Sequence, residues 1–348
     1  MKRLKSIVLA VVAVVVAAGF VLPSSSAQAA SSSALSIPPK KNYLISPGDS
    51  VNDKLVIRNL DNASALNLTL QVIDFTYTDN GGTPKLFLDP NAPQTTWSLK
   101  PFMKVPKSVS IAPGQSASLD MSISIPEGHG AGSYYSAIIY SSGPADNIPG
   151  GNVGLNASGV TLAFVNIPGK VHEDLKLKDF GAYDDNAGYQ FFTTTMPQKM
   201  GFSLQNNGNV VESPVGSIIL TDIFGNKRQI DNLNPTGSLA LIGQTRMFTP
   251  CIKTQAQNIN FNGAKTEATQ CTDPGLWPGI YTASIDLYYG QNGNNTQEVT
   301  KTTVFWYFPL WFIVLFLVVL ALLIFFGWRG YNKIRAKLYG PKRSTRRR

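Results

Sequence analysis

The chain has 348 residues, 43% of them apolar, and a formal charge of +9 from 30 Lys+Arg and 21 Asp+Glu. That is apolar matter enough for two or three packed domains, and it excludes a disordered, collagen-like or coiled-coil chain. Two Cys exclude a disulfide-rich scaffold or a four-ligand zinc cluster, and two His leave little for metal or acid–base chemistry.

The charge sits at the two ends. Lys2, Arg3 and Lys5 open the chain, and Arg329, Lys333, Arg335, Lys337, Lys342, Arg343, Arg346, Arg347 and Arg348 close it with no acid among them. Between the ends 18 bases face 21 acids, so the folded part is slightly acidic and lacks the basic face that nucleic acid requires. The basic start, the apolar run Ile7–Leu22 and the small-residue site Ala27-Gln28-Ala29 follow the order of a secretory signal peptide, residues 1–29, removed after Ala29. Residues 30–36 are Ser/Ala-rich and predict a disordered spacer.

The exported body reads as strands. Leu66, Leu68, Leu70 and Val72 alternate with polar residues, as do Leu119, Met121, Ile123 and Ile125, and Ala283, Ile285, Leu287 and Tyr289. Period-two alternation means one buried face and one wet face. Turn signals punctuate these runs at Pro47-Gly48, Asn80-Gly81-Gly82, Pro113-Gly114, Asn207-Gly208-Asn209 and Gly225-Asn226. Short strands at this spacing predict an all-β body of antiparallel sandwiches.

The pattern also repeats. Leu55–Asn59 resembles Phe202–Asn206, and Gly132-Ser133-Tyr134 resembles Gly279-Ile280-Tyr281; each pair is 147 residues apart. Asp74-Phe75 has an approximate echo in Asp222-Ile223-Phe224. Two pairs with one offset predict two related domains, 37–170 and 171–303, with the boundary within 143–172. Ala145–Gly154 reads as a long loop of the first domain, and Val160–Val165 as a strand that closes it.

The second apolar run is Phe305–Trp328, uncharged and long enough to cross a bilayer, which places a transmembrane helix at 304–328. Trp306, Tyr307 and Trp311 at one edge and Trp328 and Tyr331 at the other form the expected membrane-interface anchors. The bases of 329–348 make a cytoplasmic tail that grips anionic lipid, giving a single-pass, type I topology with the body outside.

Cys251 and Cys271 lie in the exported part and predict a disulfide that staples a polar insertion. His129 and His172 lack partners at metal-ligand spacing. Asp184-Asp185-Asn186 reads as a hairpin turn, with contact to calcium left open. Trp277-Pro278-Gly279-Ile280-Tyr281 reads as a turn into a strand, with a recognition surface as the other reading. No Gly-x-Ser-x-Gly elbow or phosphate loop is present, so the sequence predicts neither catalytic residues, metal nor cofactor.

The order Ser46-Pro47-Gly48, the strand ending at Asn59, Asp74–Asp79, Ala112–Gln115 and Gly132–Tyr140 is followed in the second half by Leu204–Asn209, Pro214-Val215-Gly216, Asp222–Gly225 and Pro278–Tyr281. With the signal peptide, span and basic tail, this resembles the WxL-interacting proteins of Gram-positive bacterial surfaces. The resemblance implies two tandem immunoglobulin-like domains facing the wall, one binding peptidoglycan and the other WxL-domain surface proteins. The Cys251–Cys271 loop and the Gly-rich stretch in the first domain depart from that pattern. The expected function is a non-enzymatic, membrane-anchored scaffold or adhesion protein for cell-wall polymer or surface proteins. The alternative is a membrane-tethered export or assembly chaperone acting by strand addition; a wall hydrolase and a signalling receptor are less supported.

Overall fold

Segments whose apolar residues recur every second position fold as strands because only that geometry puts them all on one face. The computed structural model describes residues 35–89, 93–142, 157–261, 264–290 and 294–340. The signal peptide, Ala145–Gly154 and the bases Lys342, Arg343, Arg346, Arg347 and Arg348 lie outside the described residues.

The first half holds β1 (Leu35–Ser36), β2 (Lys40–Leu44), β3 (Ser50–Asn59), β4 (Leu66–Ile73), β5 (Phe75–Tyr77), β6 (Pro84–Leu86), β7 (Met103–Lys104), β8 (Ser108–Ile111), β9 (Ser116–Ser124), β10 (Gly132–Ser142) and β11 (Ala157–Ile167). The second holds β12 (Leu175–Asp184), β13 (Gly188–Gln190), β14 (Phe192–Thr193), β15 (Lys199–Asn206), β16 (Val215–Asp222), β17 (Lys227–Asp231), β18 (Thr245–Phe248), β19 (Thr254–Phe261), β20 (Ala264–Cys271), β21 (Gly279–Tyr289) and β22 (Gln297–Tyr307). One helix, α1 (Leu310–Tyr339), follows.

The strands form two tandem immunoglobulin-like sandwiches of one plan, each a four-stranded sheet over a five-stranded one. The sheet orders are β1-β3-β9-β7 over β2-β11-β10-β4-β8, and β13-β12-β15-β18 over β14-β22-β21-β16-β17. In both five-stranded sheets the flanking strand, β2 or β14, runs parallel to the last strand, β11 or β22. Each sandwich has its own core, around Leu55, Ile57, Met121, Ile123 and Tyr140 in the first and Phe202, Leu204, Ile218, Ile285 and Phe305 in the second.

The repeated motifs occupy matching places. Asn59 ends β3 and Asn206 ends β15, and both are buried. The Asn59 amide donates to the carbonyls of Ser64, Ile111 and Ala112, while its oxygen accepts from Asp61 N. The Asn206 amide donates to Val210 O and Ala240 O, and its oxygen accepts from Gly208 N. Each Asn thereby ties the end of its strand to the loop that follows. Tyr134 and Tyr281 also match, each donating its hydroxyl to the carbonyl four residues back, Gly130 and Trp277.

The structure departs from the sequence expectations in three places. Leu35 and Ser36, assigned to the spacer, form β1 against Asn59 and Arg58, because Leu35 packs on the first core. The segment between Cys251 and Cys271 is the hairpin β19–β20, with the disulfide at its base. The helix begins at Leu310 rather than at 304, since Phe305 and Tyr307 fill the second core from β22. Tyr307 is therefore a core residue and not a membrane-interface anchor, and Trp306 lies on β22. Pro309, which has no N–H to donate, ends the ladder and caps the helix. At the other end α1 runs past Trp328, so Arg329, Lys333, Arg335 and Lys337 are helical; Gly340, at φ 71°, stops it. Trp311, Trp328 and Tyr331 lie exposed along α1, which is long and apolar enough to cross a membrane.

Removing a buried amide that satisfies several carbonyls leaves those groups unpaired. Asn59→Ala and Asn206→Ala should each destabilise the chain by about 3 kcal/mol, and Asn207→Ala by less than about 1 kcal/mol. Urea unfolding of the detergent-solubilised chain checks this.

Candidate functional site

In most sandwiches one face of each sheet is wet, but β10 is buried on both faces. Ile138 and Tyr140 point into the first core. Tyr135, Ala137 and Ile139 point outward, where Phe75, Phe164 and, from the second sandwich, Leu241 cover them. Asp74 fixes part of this cover. Its carboxylate accepts from Ser98 Oγ at 2.6 Å, Ser136 Oγ at 3.1 Å and Thr95 N at 3.1 Å.

Polar bonds close the junction of the two sandwiches. Ser133 N donates to Asn209 O at 2.9 Å, Val211 N to Ser133 Oγ at 2.8 Å, and Asn209 Nδ2 to Ala131 O at 3.1 Å. On the other side Met247 N donates to Asn80 O at 2.7 Å and the Arg246 guanidinium lies 5.2 Å from the centre of the Tyr77 ring. A crevice of ≈ 410 Å³ remains between β2 and the second sandwich, lined by Tyr43, Leu44, Phe164, Val211 and Leu239 among others.

Glu212 lies beneath this junction and is 1% exposed. Its Oε2 accepts from Gly290 N at 3.1 Å, and its Oε1 has no hydrogen-bond partner. Burial, with the charge of Glu173 adding to it, pushes its carboxyl from 4.5 up to about 8. Half-buried Asp53 on β3 shows the opposite effect: bonds from Lys41 Nζ at 2.5 Å and Tyr43 Oη at 2.6 Å hold it down to about 2.

Among the described residues the longest run of strand without a ladder partner on one edge belongs to β22. β2 covers Leu162–Asn166 of β11, whereas β14 covers only Trp306 and Tyr307 of β22. Among the described residues no strand pairs with the outer edge from Gln297 to Phe305, a length of about 30 Å. Trp306 N donates outward to Phe191 O at 2.7 Å. By the two-residue repeat of a strand, the backbone N–H and C=O of Val304, Thr302, Thr300 and Glu298 face outward too. Lys301 Nζ donates to Lys178 O at 2.7 Å and ties β22 to β12, which packs beside it without a backbone ladder.

The sequence-predicted candidates lie apart from one another. His129 packs edge-on between Phe102 and Tyr134, with ring centres 4.8 and 4.7 Å away. His172 belongs to the connection between sandwiches, where its N–H donates to Asn209 Oδ1. Asp184 Oδ1 accepts from Asn186 N and Ala187 N in a hairpin turn, and Asp185 pairs with Lys199 at 2.5 Å. Sequence reasoning missed Glu212 and Arg246, neither of which sits in a motif, and read Asp74 only as part of a repeated one; their roles arise from contacts across distant segments.

No family model and no curated protein matches the chain. Solved structures with a similar arrangement include the class 5 fimbriae chaperone CfaA, at 9% identity and TM-score 0.34, covering 77% of this chain and 98% of that one. The Salmonella enterica SafA pilin in complex with the SafB chaperone matches at 10% identity and TM-score 0.33, covering 77% and 96%. The E. coli chaperone DraB matches at 10% identity and TM-score 0.33, covering 77% and 95%. These are likenesses of fold alone.

The raised pKa of Glu212 gives a pH dependence of fixed sign. The folded state holds this proton more tightly than the unfolded state, so the contribution is complete below about 4.5 and is lost as pH rises to about 8. Thermal unfolding of the full chain in detergent should show a Tm that falls between pH 5 and 8.5, and Glu212→Gln should remove most of that slope. The loss is on the order of 4 kcal/mol at most.

Proposed function

We propose that the chain is a membrane-tethered, non-enzymatic binding protein of the cell surface, which holds an exported or surface protein by adding one of its segments as a strand beside β22. The observation that carries this reading is the open outer edge of Gln297–Phe305. An unpaired edge presents a row of donors and acceptors that an extended segment satisfies. Thr300, Thr302, Thr303 and Val304 favour the extended state on that edge, and Lys301 and Glu298 are its only charges.

In this reading α1 is the anchor, the sandwiches stand outside the membrane, and the basic C-terminal residues stay in the cytoplasm on anionic lipid. The resemblance to WxL-interacting proteins supports a surface protein with a WxL domain as the occupant, with wall polymer binding elsewhere on the sandwiches. An assembly chaperone would use the same edge, and differs in holding unfolded clients briefly instead of one folded partner stably.

Proline tests the edge directly. At residue 302 it deletes an outward-facing N–H and spares the backbone bonds to β21, losing only the exposed hydroxyl contact of Thr302 with Ser284. The full chain in nanodiscs, mixed with detergent-extracted surface proteins of its source organism, should retain one of them saturably. Thr302→Pro should weaken retention at least tenfold with a stability change of about 1 kcal/mol or less. Retention of sacculi alone, or retention unaffected by Thr302→Pro, contradicts strand addition; transient capture of unfolded chains, lost in the same variant, moves the assignment to a chaperone.

A further inference from the structure

The two sandwiches share one plan, yet their corresponding ends meet different surroundings. In the first, the end that carries Gly132, Asp74 and Phe75 abuts the second sandwich. Phe75 is 0% exposed there, and a Cβ on Gly132 would stand 2.7 Å from Asn209 O. In the second, the matching end carries Gly279, Asp222, Ile223 and Phe224. Phe224 is 81% exposed, and a Cβ on Gly279 would meet nothing within 4 Å. This end has the same apolar character, and among the described residues no other sandwich covers it.

The exposure is built in. Asp222 Oδ1 accepts from Phe224 N at 2.8 Å and Asn226 N at 2.9 Å, and Gly225 at φ 84° completes a tight turn with two apolar residues at its apex. Turn apices ordinarily carry polar residues, since they face water. Beside it stands Trp277, 78% exposed, its carbonyl held by the Tyr281 hydroxyl. Outside α1, the large apolar side chains above 60% exposure among the described residues are Phe191, Ile223, Phe224 and Trp277, all at this end.

The membrane helix starts from the same end. Only Phe308 and Pro309 separate β22 from α1, and Phe308 N is bonded to Thr193 O at 3.0 Å. The uncharged stretch Leu310–Trp328 is ~28 Å long at ~1.5 Å per residue, which matches a hydrocarbon core of ~30 Å. With Leu310 at its edge, Leu315 lies ~7 Å inside. Phe224 and Trp277 line one crevice of ≈ 670 Å³ together with Trp311, Phe312 and Leu315. A wall of that crevice is therefore immersed, and its other wall stands at headgroup depth.

We infer that the Ile223-Phe224 turn, Trp277 and Phe191 form a membrane-docking tip, which inserts into the outer-leaflet lipid around α1 and fixes the second sandwich upright on the bilayer. The occupant is lipid, because the patch is continuous with the span and too close to it to be lifted clear. Aromatic and aliphatic side chains at a membrane interface act in this way. The inference rests on the reading of α1 as a span and is independent of what β22 binds.

The test uses the full chain, non-reduced so that Cys251–Cys271 stays closed, in nanodiscs of phosphatidylcholine and phosphatidylglycerol. Ile223→Cys, Asn294→Cys and Leu320→Cys are each labelled with an environment-sensitive fluorophore. Asn294 lies at the far end of the β21–β22 hairpin and is the water control; Leu320 lies in mid-helix and is the lipid control. The label at 223 should be quenched by shallow nitroxide lipid and be at least fivefold less accessible to iodide than the label at 294. Combining Ile223→Cys with Phe224→Ser and Trp277→Ser should restore iodide access at least threefold. Lipid quenching at 320 with iodide access at 223 equal to that at 294 overturns the docking and leaves the span standing. Absence of lipid quenching at 320 overturns the span, and the docking with it.

Discussion

Two residues, Phe308 and Pro309, join the last strand of the second sandwich to the apolar helix, and this short connection governs how the molecule can be arranged. A strand bound to β21 along its whole length cannot swivel freely, so its axis carries into the helix with little slack. The Phe308 amide bond to Thr193 and the close rings of Phe308 and Phe312, 5.7 Å apart, tighten the join further. From this constraint follow the nearness of the Phe224 and Trp277 tip to the start of the helix and the direction of the β22 edge, which rises away from it.

The rest of the body is one framework used twice. The buried amides of Asn59 and Asn206 clamp equivalent loops, and Tyr134 and Tyr281 lock equivalent turns. What differs is the surroundings of each copy. The first sandwich covers its outer sheet face with Phe75, Trp97 and the Leu241 segment of the second, which makes the junction apolar as well as hydrogen-bonded. The second leaves its matching end bare and its last strand with an open edge. The exposed apolar tip and the open edge of the last strand both belong to the copy that precedes the helix, and Glu212 is buried in that same copy with its carboxyl pushed up by burial.

Much of this was legible in the sequence because it depends on local order. Alternation at Ala283–Tyr289 and Leu119–Ile125 reports a half-buried strand directly, and the 147-residue offset reports that the same clamp and turn occur twice. The extent of β22 was not legible: Phe305, Trp306 and Tyr307 continue an apolar run without interruption, and only pairing with Tyr281, Ile280 and Gly279 assigns them to the sheet. Glu212 and Leu241 gave no signal, and Asp74 showed only as part of a repeated motif, because their partners lie far along the chain. The motif around Trp277 could be read either as a turn or as a surface. The structure shows the turn, and the backbone that holds Tyr281 also leaves the indole exposed.

The central claim is that the outer edge of β22 is open and receives a partner strand. Residue-resolved amide hydrogen exchange on the full chain in nanodiscs, with and without the retained partner, tests it most directly. The account predicts that the amides of Glu298, Thr300, Thr302 and Val304 exchange at least a hundredfold faster than those of Val299, Lys301 and Thr303 in the free protein, and become protected when the partner is bound. Slow exchange of the outward amides in the free protein, or exchange unaltered by the partner, would contradict it.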